Sequence, residues 1–115
     1  MRGDLEDLRN RIDMLDEHLV RLLNARAACA LEIGRLKRDE GIPIYQPARE
    51  AEVIAHVRGV NTGPLDEPAI QRLFERIIDE ARHLERIADE IESRKTEDGR
   101  RKTEGGKAET NVPRE

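Results

Sequence analysis

A stripe of leucines and isoleucines at alternating spacings of three and four residues dominates the first third of this sequence. Such spacing is typical of one face of an amphipathic helix packed against other helices. Continued to Ile33, it predicts one helix from Asp4, its expected N-cap, to about Glu40, with a length of about 50 Å. A helix of that length cannot bury its apolar face within a chain of 115 residues. The stripe consists of Leu5, Leu8, Ile12, Leu15, Leu19 and Leu22.

Two further helices are predicted, separated from the first and from each other by loops that contain glycine and proline. Pro47 suits the first turn of a second helix, which runs to about Arg58 and ends at Gly59. Asp66 is the expected cap of a third helix, whose three-and-four spacing continues to about Ser93. The predicted fold class is therefore all-α, a three-helix protomer with two long helices.

The long stripes also predict association. A monomer would be a long hairpin with one apolar face bare, so we expect an obligate dimer in which two copies bury these faces in a helical bundle. From Lys95 onward the composition becomes polar and repetitive. This composition predicts a disordered tail over residues 95–115 and a helical domain over residues 1–94.

Composition argues against several functional classes. The chain has two aromatic residues and a net charge of −4, a poor basis for binding nucleic acid. No run of about 18 apolar residues occurs and the N-terminus lacks a secretory pattern, so we expect a cytoplasmic protein without a membrane span. The single cysteine, Cys29, is expected to serve as a small apolar residue. The one serine and three histidines show no nucleophile or metal-ligand spacing, and no glycine-rich phosphate loop follows a strand, so nucleophilic, zinc and nucleotide mechanisms are not expected.

Charged residues nevertheless stand on the predicted apolar faces, where burial without a partner is costly. At about 100° per residue, Arg26 and Lys37 fall within about 20° of the middle of the first helix's apolar side. On the second helix, Glu50 lies near the middle of the apolar face with Arg49 at its edge. Glu85 borders the apolar face of the third helix. Taken singly, each charge is better explained by a buried structural ion pair, but together they favour a binding site.

The use of lysine at position 37 adds a chemical signal. The first 94 residues contain fourteen arginines and one lysine, Lys37, which indicates that a compact point charge is needed there. A cavity lined by several cations, one or two carboxyl groups and aliphatic walls suits a small molecule with two carboxylates and a hydroxyl.

Three segments combine the helical spacing with charges that the spacing does not require. They are Leu8-Arg9-x-x-Ile12-Asp13-x-Leu15-Asp16-x-x-Leu19-x-x-Leu22-Leu23-x-x-Arg26, Ile33-Gly34-x-x-Lys37 and Pro43-Ile44-Tyr45-Gln46-Pro47-x-Arg49-Glu50. Over about residues 4–90 the chain resembles the all-helical class of chorismate mutases. The resemblance implies an intertwined homodimer with two equivalent sites. It also implies rearrangement of chorismate to prephenate in the biosynthesis of phenylalanine and tyrosine, with no cofactor.

The same resemblance implies how the carboxylates of chorismate are held. Arg26 and Arg49 would bind them from one protomer, and Arg9 would reach across from the other protomer of the homodimer. Ala81 stands in this carboxylate-binding region, at a position where relatives often have serine or another small polar residue.

The resemblance also assigns the reacting bond and the ring hydroxyl. Lys37 would contact the ether oxygen together with one carboxylate, and Glu85 would take the second position at that oxygen, where many relatives have glutamine. Glu50 would accept a hydrogen bond from the ring hydroxyl, near Gln46, which stands where aspartate is frequent. The implied catalytic residues are Lys37, Glu85 and Arg26.

Two other functions remain open at this stage. A lyase that splits isochorismate into pyruvate and salicylate would use a similar cation set on the same fold. A non-catalytic module for dimerisation or regulation of another shikimate enzyme would show the same stripes, but Arg26, Lys37 and Glu50 would then neutralise one another. A [3,3] rearrangement needs no nucleophile, metal or proton transfer, which matches a sequence that offers none.

Overall fold

The computed structural model describes residues 2–105, with side chains described from residue 3 to residue 95. Within this range the chain forms three α-helices, α1 (Arg2–Glu40), α2 (Pro47–Val60) and α3 (Glu67–Gly105). No strand occurs among the residues described. The predicted all-α class and the three-helix protomer with two long helices are confirmed.

The C-terminus of α1 is closed by local backbone chemistry. Gly41 follows the helix with a φ of 72°, a left-handed conformation that favours glycine. The Gly41 N–H donates to the Arg38 carbonyl at 3.2 Å, and the Ile42 N–H donates to the Lys37 carbonyl at 2.8 Å. These two bonds form a Schellman motif, which satisfies carbonyls at the helix end.

Two predicted helix boundaries are wrong by a few residues. α1 begins at Arg2, so Asp4 lies in its first turn, where its charge favours the positive helix end, rather than at the N-cap. α2 continues through Gly59 and ends at Val60, because a single glycine weakens a helix without breaking it. The predicted position of Pro47 in the first turn of α2 is confirmed.

α3 begins as predicted and ends later than predicted. The Asp66 carboxylate accepts a hydrogen bond from the Ala69 N–H at 2.9 Å, which caps the helix. The predicted end near Ser93 is wrong, because α3 continues to Gly105. Residues 94–105 contain no proline and are rich in arginine, lysine and glutamate, which are good helix formers. The remainder of the predicted tail, 106–115, lies outside the described residues, and the domain boundary near residue 94 stays a prediction.

α1 and α3 pack side by side and run in the same direction. Gly34 lies against Glu85, and four residues further along both helices Arg38 pairs with Asp89 at 3.6 Å. The long hairpin expected for a monomer is therefore wrong, because α2 returns the chain before α3 begins.

α2 packs against α3 and runs in the opposite direction. Glu50 near its start pairs with Arg82 of α3, and Arg58 near its end pairs with Glu67 at the start of α3. Because α3 contacts both other helices, the space between α1 and α2 is walled on one side by α3.

The N-terminal half of α1 extends away from these contacts. Every described residue from 3 to 25 is exposed in the single chain, and partly buried positions begin at Arg26. Leu8, Leu15 and Leu22 are 53%, 59% and 66% exposed. The radius of gyration is 20.7 Å, against about 13 Å for a compact domain of this length. The predicted bare apolar face is confirmed, and the dimer that would cover it stays a prediction.

α1 and α3 are long, but length is only one of the two properties that a membrane-spanning helix needs. Among the residues described, no helix combines the length with the apolar character that crossing a membrane requires.

Candidate active site

A cavity of about 560 Å³ lies between the C-terminal half of α1, the start of α2 and the middle of α3. Small-molecule sites are typically about 300–1,000 Å³, with apolar walls and a few polar groups. Aliphatic side chains, among them Ile33 and Val53, form part of the wall. Seven of the eight residues that the resemblance assigned to a site line this cavity: Arg26, Lys37, Gln46, Arg49, Glu50, Ala81 and Glu85.

Arg9 is the eighth residue, and the single chain does not bring it to the cavity. It lies on the exposed half of α1, 17 residues before Arg26, a separation of about 25 Å along the helix. An arginine at that distance reaches such a cavity only from a second copy. Its predicted origin in the other protomer therefore stays a prediction.

Lys37 and Glu85 meet where α1 and α3 approach each other. Glu85 is only 7% exposed, and its Oε1 lies 3.6 Å from the Lys37 Nζ. The ammonium also donates to the Ile44 carbonyl at 3.1 Å, which fixes its direction. Glu85 Oε1 is buried without a hydrogen bond. Since nearly all buried polar atoms have a partner, this oxygen marks a position where a polar group of a ligand or a water would bind.

Gly34 permits the close approach of the two helices. A Cβ at this position would lie 3.1 Å from Glu85 Cγ and 3.5 Å from Glu85 Oε1. The first distance is shorter than ordinary van der Waals contact between carbon atoms. Glycine therefore leaves the space that the Glu85 side chain occupies.

Two arginines line the cavity with guanidinium groups that are available to a ligand. Arg26 is half-buried on α1 and forms no ion pair with any described residue. Arg49 on α2 pairs with Glu52 at 3.2 Å, but both side chains are about two-thirds exposed, and such surface pairs are weak. Either group is therefore free to bind a carboxylate.

Acceptor groups line the α2 side of the cavity. The Gln46 amide nitrogen donates to the Pro43 carbonyl at 3.2 Å, which leaves its amide oxygen as an acceptor. Gln46 therefore offers an acceptor to the cavity. Glu50 Oε2 accepts from Arg82 Nη1 at 2.7 Å, so its Oε1 is the oxygen left for a ligand.

Arg82 is the cavity residue that the sequence reasoning missed. Besides Glu50, its guanidinium donates to Asp79, and it lies over the ring of Tyr45 with its carbon 5.0 Å from the centroid. The available signal was its position four residues after Ile78, on a helix face that already carried apolar cavity residues.

The charges of this cavity do not cancel in the way that a purely structural module requires. Lys37 pairs with Glu85, and Glu50 pairs with Arg82 rather than with Arg26 or Lys37. Four cations and two carboxylates face the cavity, which leaves excess positive charge. Among the described residues, no group of three or more histidine, cysteine, aspartate or glutamate side chains is placed to hold a metal ion. The fold and the cavity define an all-helical protein with a cationic cavity of the size of a small-molecule site.

Comparison with known proteins identifies the family. The family model for chorismate mutase type II matches residues 8–86, a range that contains every site residue from Arg9 to Glu85. The chain belongs to the chorismate mutase type II family, and its resemblance to all-helical chorismate mutases is confirmed.

Individual relatives agree with this assignment. The bifunctional chorismate mutase/prephenate dehydratase of Pseudomonas aeruginosa is 41% identical over 89 residues, which are 73% of this chain and 24% of that protein. The chorismate mutase of Methanocaldococcus jannaschii is 26% identical over 71% of this chain and 84% of that protein. The solved structure of a chorismate mutase from Thermus thermophilus matches with a TM-score of 0.70 and 35% identity, over 71% of this chain and 93% of that one. This chain spans about a quarter of the length of the bifunctional relatives.

Proposed function

We propose that this chain is an isomerase that rearranges chorismate to prephenate in the biosynthesis of phenylalanine and tyrosine, in the cytoplasm. One observation carries the proposal: the half-buried Arg26 without an ion pair and the buried Glu85 Oε1 without a hydrogen bond face the same cavity. Chorismate is a dicarboxylate with an ether bridge and a ring hydroxyl, so one carboxylate can bind Arg26 and the ether oxygen can accept from Glu85 when that carboxyl carries a proton.

Arg26 and Arg49 act by holding the substrate in a reactive shape. They lie on different helices, so their guanidinium groups reach the cavity from two sides. Each fork matches a carboxylate in bidentate geometry. Binding both carboxylates at once selects the compact conformer in which the carbon atoms to be joined are close, which lowers the entropic part of the barrier.

Lys37 and Glu85 act at the ether oxygen. As the C–O bond breaks, negative charge grows on this oxygen, and a cation already fixed in place stabilises it without rearranging. The hydrogen bond to the Ile44 carbonyl holds the Lys37 ammonium. Glu85 contributes at the same oxygen only in its protonated form, because an ionised carboxylate has no proton to donate.

Glu50 and Gln46 recognise the ring hydroxyl at the other side of the cavity. Glu50 Oε1 and the Gln46 amide oxygen are the acceptors that the contacts to Arg82 and Pro43 leave unused. A site built around a hydroxyl discriminates against molecules without it, because its acceptors would then stay unpaired.

We further propose that two chains form an intertwined homodimer and that each site receives Arg9 from the partner. The exposed leucine stripe of α1 supports this proposal, since association is the simplest way to remove it from water. A second chain lying along this stripe would carry its own Arg9 past the cavity.

The direct test is turnover by the purified chain. Chorismate should disappear and prephenate should accumulate in equal amounts, without added metal or cofactor. Arg26→Gln should reduce kcat/KM by roughly 100-fold, because one carboxylate loses its charged partner. Unchanged chorismate with correctly folded protein would contradict the proposal. Release of pyruvate from isochorismate, tested in parallel, would favour the lyase instead.

A further inference from the structure

Arg82 connects three parts of the chain at the wall of the cavity. It donates to Glu50 on α2, donates to Asp79 one turn back on α3, and lies over the Tyr45 ring in the connector before α2. The side chains of Arg82 and Glu50 are only 20% and 28% exposed. At 2.7 Å the contact is a short charge-assisted hydrogen bond, stronger than an exposed pair because water screens it less.

The bond to Arg82 determines what Glu50 can do in the cavity. Arg26, Arg49 and Lys37 line the same space, and an unbonded Glu50 carboxylate would compete with the ligand's carboxylates for these cations. By engaging Glu50 Oε2, Arg82 removes that competition. It also fixes the orientation of Glu50, so that Oε1 is presented as an acceptor.

The remaining contacts of Arg82 hold the guanidinium in place before a ligand binds. Asp79 engages the second terminal nitrogen, and the Tyr45 ring supports the guanidinium face. The group therefore loses little freedom when the substrate arrives, which is the requirement for an effective supporting residue.

A second arginine joins the same two helices away from the cavity. Arg58 near the end of α2 donates to Gln71 at 2.6 Å and to Glu67 at 3.1 Å, both on α3. It does not line the cavity. Arg58 is therefore a matched control for any effect that arises only from holding α2 against α3.

We propose that Arg82 is a positioning residue: through Glu50 it sets the preference of the site for ligands that carry the ring hydroxyl. This inference rests on the proposed mutase function. It assigns the hydroxyl recognition to the Arg82–Glu50 pair and predicts that the preference disappears when the pair is broken, while the carboxylate-binding arginines remain.

The test compares two inhibitors on three proteins. The inhibitors are a bicyclic dicarboxylate that mimics the transition state and carries the hydroxyl, and the same compound without it. Their inhibition constants against chorismate turnover give a hydroxyl preference for the parent, Arg82→Gln and Arg58→Gln. We expect a preference on the order of 10-fold or more in the parent, since a hydrogen bond to a charged group contributes that much. It should fall to nearly one in Arg82→Gln and stay within about twofold of the parent in Arg58→Gln.

A conservative variant keeps the test decisive if Arg82→Gln folds poorly. Arg82→Lys retains a cation that can bond Glu50 but lacks the fork that also reaches Asp79. Its hydroxyl preference should lie below that of the parent and clearly above one. A preference of about one in folded Arg82→Lys would overturn the proposal.

Two other results would overturn the inference, and only the second would also overturn the proposed function. If Arg82→Gln and Arg58→Gln both lower the melting temperature and both keep the parent's hydroxyl preference, Arg82 is only a clamp between helices and the inference is overturned. If the folded parent neither converts chorismate nor is inhibited by either compound, the proposed function fails and the inference fails with it.

Discussion

Glu85 is the residue whose contribution to the proposed reaction depends most on its ability to donate a hydrogen bond. Its Oε1 is buried without a hydrogen bond, 3.6 Å from the Lys37 ammonium. A carboxyl can donate to the ether oxygen only when it carries a proton, whereas the amide of Glu85→Gln is a permanent donor. We therefore expect kcat/KM of Glu85→Gln to be at or above that of the parent when chorismate turnover is measured under identical conditions. A large loss of kcat/KM in Glu85→Gln would show that Glu85 does not act as a hydrogen-bond donor at the reacting oxygen.

Comparison with its neighbour Arg38 tests whether Lys37 acts in catalysis or only stabilises the structure. Arg38 also joins α1 to α3, through Asp89, but does not line the cavity. We expect Lys37→Ala to lower kcat by roughly 100-fold or more, because the lost interaction is strongest in the transition state. Arg38→Ala should change kcat by no more than about twofold. Steady-state kinetics and thermal unfolding of both variants decide the matter: retained activity with lower stability in Lys37→Ala would make it a structural partner of Glu85.

At the scale of helices, glycine at position 34 makes α1 less stable than alanine would, but it leaves room for the Glu85 side chain. Alanine is favoured over glycine inside a helix by about 1 kcal/mol, but its Cβ would lie 3.1 Å from Glu85 Cγ. The buried Glu85 side chain must then move by a few tenths of an ångström. We expect Gly34→Ala to reduce kcat/KM by roughly 10-fold with little change in melting temperature, because small misplacements are costly in catalysis.

Gly59 provides the control for this substitution. It lies inside α2, and a Cβ there would meet no atom within 4 Å. Gly59→Ala should therefore raise stability by up to about 1 kcal/mol and leave kcat/KM unchanged. Kinetics and thermal unfolding of the two variants are measured side by side. Full activity in Gly34→Ala would show that Glu85 tolerates the displacement or does not act in the reaction.

Much of the helical architecture could be predicted from the sequence because its signals are local. Gly41, Pro47 and Asp66 mark helix ends through their own backbone or side-chain chemistry, and each lies where it was expected. The end of α3 and the parallel packing of α1 on α3 could not be predicted. An apolar stripe shows that a helix packs on something, but it does not show the direction of its neighbour.

The cavity residues also differ in whether a local sequence signal reveals them. Arg26 and Lys37 were recognisable because cations on an apolar stripe conflict with the pattern around them. Arg82 lies beside its stripe, and its partner Glu50 is 32 residues away in sequence, so no local spacing reveals the pair. Gly34 was visible as a motif residue, but the reason for it required the position of Glu85 on another helix.

At the scale of the whole molecule, the origin of Arg9 can be tested by mixing two defective proteins. Arg9→Ala and Lys37→Ala should each be nearly inactive as homodimers. In a mixed dimer, one site contains both substitutions and the other contains neither. Unfolding and refolding an equal mixture should therefore recover about a quarter of the parent activity, since half of the dimers are mixed and each has one intact site. No recovery, with mixed dimers verified by mass, would place Arg9 and Lys37 in the same protomer's site, whereas full activity of the Arg9→Ala homodimer would remove Arg9 from the site.

The exposed half of α1 has a kinetic consequence for any assay of this protein. If an isolated chain has neither a covered leucine stripe nor a complete cation set, dilution converts working sites into non-working ones by mass action. At saturating chorismate, the initial rate should then rise with the square of the chain concentration when dimers are scarce, and linearly when they predominate. The concentration at which the order changes from two to one measures the dimer dissociation constant through catalysis alone.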